Sequence, residues 1–255
     1  MPDVMNDLTI FNPSGERLDH RFAPAVSDRR VENWIVILAH GVTGDLDRPL
    51  VADTAAALNA AGFDTLRISF AGNGGSAGDF RDATISKETA DLGAVIDAVA
   101  PQYPHIAVIG HSMGAAVAVM RAAVDSRIAA LVSLAGMVDT KLFAETEFGM
   151  LVPGEGCMWD EPECPLSQAY MDDLCRTIVS TTPQAGMIAI PWLLVHGTAD
   201  DVVLAADTES IVAMGKSNVT AKFVEGAGHS FNDPAHKALV TEAVCGWLAG
   251  LAAKE

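Results

Sequence analysis

The stretch Ile106-Ala-Val-Ile-Gly110-His-Ser112-Met-Gly114-Ala-Ala-Val-Ala-Val-Met120 decides how the rest of the chain is read. Four apolar residues, a glycine-bounded corner carrying one serine, and a run of small helix formers read as a buried strand, a sharp turn and a helix. Gly110 and Gly114 lack the side chains that would hold strand and helix backbones apart at such a corner. The hydroxyl of Ser112 then stands at the carboxyl edge of a sheet. Beside it lie the first N–H groups of a helix, which have no partner within that helix.

The sequence on either side repeats the strand–helix alternation, which argues for a parallel βα sheet. Trp34-Ile-Val-Ile-Leu-Ala39 is a buried strand. A helix over 49–61 follows, with Pro49 in its first turn and Gly62 just past its end. Residues 64–70 form the next strand, and 84–100 show helical apolar spacing through Ile85, Leu92, Val95, Ile96 and Val99. Further strands are expected at 106–109, 128–134, 192–195 and 221–224, an early strand or hairpin at 15–22, and a closing helix over 234–251.

Between Gly136 and Pro191 the rhythm breaks. The segment holds Pro153, Gly154, Gly156, Pro162, Pro165 and Pro183, and no clear strand. A structureless insert of that length is unusual in a compact domain, so a small helical cap is expected over approximately residues 137–186, with a helix starting near Pro165. Its Phe143, Phe148, Met150, Met158, Trp159, Tyr170 and Met171 either line an acyl or aromatic pocket or pack as the cap's own core. With no internal repeat or linker, residues 1–255 read as one domain.

Composition narrows the partners. Acidic residues outnumber basic ones 33 to 16, for a formal net charge of -17. That field disfavours nucleic acid and anionic membrane surfaces. No apolar run reaches the roughly 18 residues a membrane span needs. The opening Met1-Pro-Asp-Val-Met-Asn-Asp lacks the basic and apolar regions of a secretion signal, so a cytoplasmic location is expected. Cys157, Cys164, Cys175 and Cys245 form no Cys-x-x-Cys pair, so no metal site is expected. Cys157 and Cys164 are close enough in sequence to close a short loop, but free thiols are the expectation in that compartment.

Serine is a poor nucleophile at neutral pH. It needs a base to take its proton, and the base needs an orienting acid. Both must come from loops at the carboxyl ends of other strands. The loop His196-Gly-Thr-Ala-Asp200-Asp201-Val-Val203 offers Asp200 or Asp201 as the acid. The glycine-rich loop Glu225-Gly-Ala-Gly-His229-Ser-Phe231 offers His229 as the base. After the strand ending at Ala39, the loop His40-Gly41-Val42-Thr43-Gly44 can turn the N–H of Val42 toward the serine, alongside the N–H of Met113, as an oxyanion site. His40 is expected to be a structural hydrogen-bonding residue and not a base.

With those residues in place, the chain resembles the α/β-hydrolase superfamily over nearly its whole length. The likeness is strongest to the serine esterases that include cinnamoyl/feruloyl esterases and monoacylglycerol lipase-like enzymes. The matching pieces are His40-Gly-Val-Thr-Gly44, Phe70-Ala-Gly-Asn-Gly-Gly-Ser-Ala-Gly78, Gly110-His-Ser-Met-Gly114, His196-Gly-Thr-Ala-Asp200 and Gly226-Ala-Gly-His-Ser-Phe231. In the second, Asn73 stands where the family commonly has histidine.

The resemblance implies an α/β-hydrolase fold: a mostly parallel central sheet flanked by helices, with a small helical cap insertion. It implies Ser112 as nucleophile, His229 as base and Asp200 as acid, since the family's acid ends a Gly-x-x-Asp. Val42 and Met113 carry over as oxyanion donors. The implied reaction is cleavage of a small carboxylic ester through an acyl-enzyme, on short-chain acyl or hydroxycinnamoyl esters, with no cofactor and no metal. Amidase, thioesterase or acyltransferase chemistry on the same triad, a ligand-binding receptor of the same fold, and assembly as a homo-oligomer stay open. Epoxide hydrolases and haloalkane dehalogenases place Asp where Ser112 stands, and proline iminopeptidases usually show His-Gly-Gly-Pro-Gly, which this chain lacks. The glycines of residues 72–78 do not follow a first βα turn with an acidic residue about 20 positions on, so they do not indicate a dinucleotide.

Overall fold

A computed structural model describes residues 5, 8–26 and 30–254. Of the acidic opening, residues 1–4, 6 and 7 lie outside the described residues. Nine strands are described: β1 (Ile10–Phe11), β2 (Arg17–Leu18), β3 (His20–Ala23), β4 (Trp34–Ala39), β5 (Asp64–Ile68), β6 (His105–His111), β7 (Ile128–Leu134), β8 (Trp192–Gly197) and β9 (Val219–Val224). β1 and β2 form a small antiparallel ladder, so the expected early hairpin is divided. β3 instead joins a seven-stranded sheet of order β3-β5-β4-β6-β7-β8-β9. Only β3 runs antiparallel in that sheet.

The central strands are apolar at nearly every position because both faces are covered. All six residues of β4 are buried, and their side chains divide by the strand's period of two. Ile35, Ile37 and Ala39 enter one core cluster, and Trp34, Val36 and Leu38 the other. Helices α1 (Pro49–Ala60) and α8 (Pro234–Ala252) cover the second face through Leu50, Val51, Leu58, Val240, Val244 and Leu248. Helices α2 (Ile85–Val99) and α3 (Met113–Ala122) cover the first. The start of α2 is set by Thr84, whose hydroxyl accepts from the N–H of Lys87 at 3.1 Å.

No strand of the sheet lies between β7 and β8 among the described residues. The segment contains α4 (Thr140–Phe148), a tight 3₁₀ turn at Met158–Asp160, α5 (Gln168–Asp172) continuing into a wider π-helical turn at Asp173–Ile178, and α6 (Thr182–Met187). Phe143, Phe148, Met158 and Tyr170 are buried and belong to the same core cluster as the sheet face beneath them. Phe148 makes edge-on contacts with Phe143, Trp159 and Tyr170. Most of the segment's aromatic residues are therefore core, whereas Met150 is 97% exposed. The four cysteines are free thiols.

β5 ends at Ile68, two residues short of the expected strand, whereas β6, β8 and β9 outrun the apolar pattern for one reason, β8 continuing through His196 and Gly197. β6 continues through Gly110 and His111, which pair with Ser133 and Leu134 of β7, and β9 begins at Val219, which pairs with Trp192. Backbone pairing needs no apolar side chain, so it outruns the hydrophobic run. Helix α7 (Ala205–Val212) follows β8 with only Thr208 and Ile211 buried, a stripe too thin to signal a helix.

The sheet order fixes where a site must lie. The chain turns outward in opposite directions from β4 and β6, and the crevice at the carboxyl ends of such a pair is open. Ala39 pairs with Gly110, so the loop after β4 and the corner after β6 meet there. β8 and β9 are also neighbours, which brings the loops after Gly197 and Val224 together.

Candidate active site

β6 hands over to α3 in a single residue. Ser112 has φ 55° and ψ −121°. A non-glycine residue held there costs on the order of 1–3 kcal/mol, and the surroundings must impose it. They do so through three backbone bonds. The N–H of Ser112 donates to Leu134 O at 2.9 Å, and its carbonyl accepts from Ala115 N at 3.0 Å and Met137 N at 3.2 Å. The crossing is also too close for side chains: a Cβ on Gly110 would lie 2.2 Å from Gly114 O, and one on Gly114 would lie 2.2 Å from His40 O.

The loop after β4 is held by His40. This imidazole is buried, and its Nε2 accepts from the N–H of Phe70 at 3.0 Å. Its proton therefore sits on Nδ1, which donates to Gly41 O at 2.8 Å. Gly44 N–H donates to the same carbonyl at 3.0 Å. In a planar trans peptide the C=O and the next N–H point in opposite directions, so anchoring Gly41 O turns the N–H of Val42 away from both donors. Neither that N–H nor the N–H of Met113 has a hydrogen-bond acceptor among the described residues. Burial pushes His40 down to about 4, against the pull of the Gly41 carbonyl, so it is neutral near pH 7 with both ring nitrogens engaged.

Asp200 and His229 meet from the neighbouring loops. His229 Nδ1 donates to Asp200 Oδ2 at 2.9 Å, which leaves Nε2 as a free acceptor. Asp200 Oδ1 accepts from the N–H groups of Val202 at 3.0 Å and Val203 at 2.9 Å. Behind it lies buried His196, whose Nε2 donates to Val203 O at 2.8 Å and stands 3.3 Å from Asp200 Oδ2. Burial alone would raise the Asp200 carboxyl. Hydrogen bonds from His196 and His229, with the charge of His229 and the N–H of Val203, outweigh it and hold the group well below the usual carboxylate range. Asp201 is exposed and makes no such bond.

Ser112 and His229 line one cavity of about 400 Å³, together with Val42, Arg48, Trp159 and Glu161. No hydrogen bond joins Ser112 Oγ to His229 in this structure. His111 lines the cavity too. Its Nε2 donates to the backbone carbonyl of His229 at 3.2 Å, and the two rings lie 4.9 Å apart, tilted by 39°. Burial, and then the neighbouring His229, push His111 down to about 3, so it stays neutral near pH 7.

Sequence reasoning did not single out His111, His196 or Arg48 as site residues, and it left Trp159 open between pocket and core; the structure puts Trp159 on the cavity wall. His111 occupies the unassigned position of Gly-x-Ser-x-Gly, and His196 opens the loop that carries Asp200. Those placements were the available signals for the two histidines. Nothing in the order of residues marked Arg48, which only packing brings to the cavity. No group of three or more His, Cys, Asp or Glu among the described residues is arranged to hold a metal ion. No helix among them is long and apolar enough to cross a membrane.

A family profile described as serine aminopeptidase, S33 (Hydrolase_4) matches residues 31–152. No curated protein matches the chain. Among solved structures, Est1E from Butyrivibrio proteoclasticus with ferulic acid bound is 24% identical, with a TM-score of 0.84 over 95% of this chain and 98% of that one. The esterase domain of a Rhodothermus marinus protein is 21% identical, with a TM-score of 0.73 over 94% and 95% of the two chains. The Pyrococcus furiosus esterase Pf2001 is 20% identical, with a TM-score of 0.74 over 97% and 94%.

Proposed function

The chain has the α/β-hydrolase fold, and from that premise we propose that it is a serine esterase acting on small carboxylic esters. One observation carries the reading. Ser112 in a strained conformation, His229 held by a buried carboxylate, and Val42 with an unpaired backbone N–H line one cavity, and Met113, next to Ser112 in the chain, has an unpaired N–H as well among the described residues. The profile match and the esterase neighbours support hydrolase chemistry on this fold.

In the proposed reaction Ser112 Oγ attacks the ester carbonyl while His229 Nε2 takes its proton. Asp200, ionised and buried, keeps the other proton of His229 on Nδ1 and stabilises the imidazolium that forms. The N–H groups of Val42 and Met113 receive the negative oxygen, each donor contributing about 2.7–4 kcal/mol to the transition state. His229 then protonates the departing alcohol, and a water activated by the same nitrogen releases the acid from the acyl-enzyme.

A cavity of about 400 Å³ suits a short acyl chain or one aromatic acyl group. Trp159 supports the aromatic choice. It is 41% exposed, its indole N–H donates to Glu147 at 2.8 Å, and it forms part of the cavity wall. Est1E, which holds ferulic acid, points to the same hydroxycinnamoyl class. Residues 137–186, on this reading, are a cap on a single domain and supply that wall.

The test is covalent labelling with a fluorophosphonate, located by intact mass and peptide mapping. A single adduct on Ser112, absent from heat-denatured protein and from Ser112→Ala, is the expected result. A folded sample that takes no label, or takes it elsewhere, removes Ser112 from its role.

A further inference from the structure

Resting on the esterase reading, we propose that Arg48 is a docking residue for a carboxylate, and that the preferred esters carry a free carboxylate in their acyl or alcohol part. The argument begins with the ion pairs. In so acidic a chain a guanidinium rarely lacks a partner. Every described arginine other than Arg17 and Arg48 lies within 4.0 Å of an Asp or Glu oxygen. Arg17 is occupied by Gly75 O and lies away from the cavity. Among the described arginines, Arg48 alone combines a charge without a carboxylate partner with a place in the cavity that holds Ser112.

Its geometry leaves donors to spare. Nη2 donates to Thr43 O at 2.8 Å and to Thr43 Oγ1 at 3.1 Å. Nε and Nη1 have no acceptor among the described residues. The Thr43 contact also restrains the guanidinium, because Thr43 is a β-branched residue at φ 55° in the loop that carries Val42. A guanidinium tethered through Nη2, with N–H groups to spare at the wall of a substrate-sized cavity, can recognise an anion there. Glu161 lines the same cavity without pairing with Arg48. Its charge, added to the negative field of the chain, favours a singly charged carboxylate over a phosphate.

Two matched substrate pairs test this, 4-acetoxybenzoate against 4-acetoxybenzamide and monomethyl adipate against dimethyl adipate. They place the charge in the alcohol part and the acyl part respectively. Arg48→Gln should lower the charged-to-neutral ratio of kcat/KM in at least one pair by about tenfold, the scale of one charge-assisted hydrogen bond, mainly through KM. Arg48→Lys should keep part of the ratio, Glu161→Gln should raise it, and added salt should lower it in the wild type but not in Arg48→Gln. A purely structural role through Thr43 would instead lower kcat on all four esters together and leave both ratios unchanged, which overturns the proposal.

Calorimetric titration with 4-hydroxybenzoate separates the two readings. Binding that depends on Arg48 in a protein that cleaves none of the esters would sink the esterase reading, and with it the ester preference, and keep Arg48 as a carboxylate-docking residue. Ester cleavage with equal ratios in wild type and Arg48→Gln would do the reverse.

Discussion

Replacing Asp200 by Asn changes one atom, and its consequence follows from the four donors around the carboxylate. Oδ1 receives two backbone N–H groups, and Oδ2 faces His229 Nδ1 at 2.9 Å and His196 Nε2 at 3.3 Å. Asn supplies one oxygen and one NH₂. If the oxygen stays with Val202 and Val203, the NH₂ faces His229 and requires a lone pair on Nδ1. The imidazole proton then moves to Nε2, the nitrogen that must accept from Ser112. If the amide flips, two N–H groups are left facing donors, at roughly 1–3 kcal/mol for each buried group. The first arrangement is therefore favoured, and kcat should fall by about 10⁴, the cost of the wrong tautomer in a serine triad. That loss corresponds to about 5 kcal/mol of transition-state stabilisation. Asp201→Asn, at an exposed position, should change kcat by less than about threefold, within the range of an ordinary surface substitution. The assay is steady-state hydrolysis of 4-nitrophenyl acetate, with the melting temperature of each variant as a folding control. A folded Asp200→Asn within tenfold of wild type, or a larger loss in Asp201→Asn, would refute the reasoning.

Three further outcomes are expected. His111→Ala removes the donor to the His229 carbonyl and should lower kcat by between about ten- and a hundredfold with little change in KM, the scale of a misplaced catalytic group. His111→Gln should recover part of that loss, and the acid limb of the pH profile should not move, because burial and the neighbouring His229 push His111 down to about 3. Gly114→Ala pushes a methyl against His40 O and should destabilise the fold by about 1–3 kcal/mol or more in urea titration, with kcat falling as the corner shifts. Asp125 is held well below the usual carboxylate range by Arg127, and also by Arg121, against the opposing effect of burial. Its folded form binds the proton less readily than its unfolded form. Its contribution is therefore full above the unfolded value of about 3.9 and declines as pH falls below it. The stability deficit of Asp125→Asn should be largest near neutrality and shrink on acidification, and a deficit that grows with acid would contradict the assignment.

Much of the site was legible before any coordinates. The Gly110–Gly114 corner announces itself because only glycine tolerates such a crossing, and Ser112 stands midway between the two glycines. The loops with Asp200 and His229 follow apolar runs that read as strands, and parallel strands deliver their following loops to one edge. Residues alone did not separate Asp200 from Asp201. That choice depends on which carboxylate is buried between His196 and His229, and adjacent positions in a loop differ in burial only after the loop has folded. The sequence also did not separate pocket from core in the segment after β7. Phe143, Phe148 and Tyr170 turned inward and Trp159 outward, although all four are simply aromatic in the chain.

By itself, then, the sequence determined the strand–helix alternation, the glycine-bounded corner at Ser112 and the order of the loops that meet at the candidate site, because periodicity and glycine placement are local properties. Tertiary structure alone decided what lies opposite what. It set His111 beneath His229, His196 behind Asp200, and an arginine without a carboxylate beside the serine. Such meetings join residues up to 118 positions apart, and only the packing of the whole sheet brings them together.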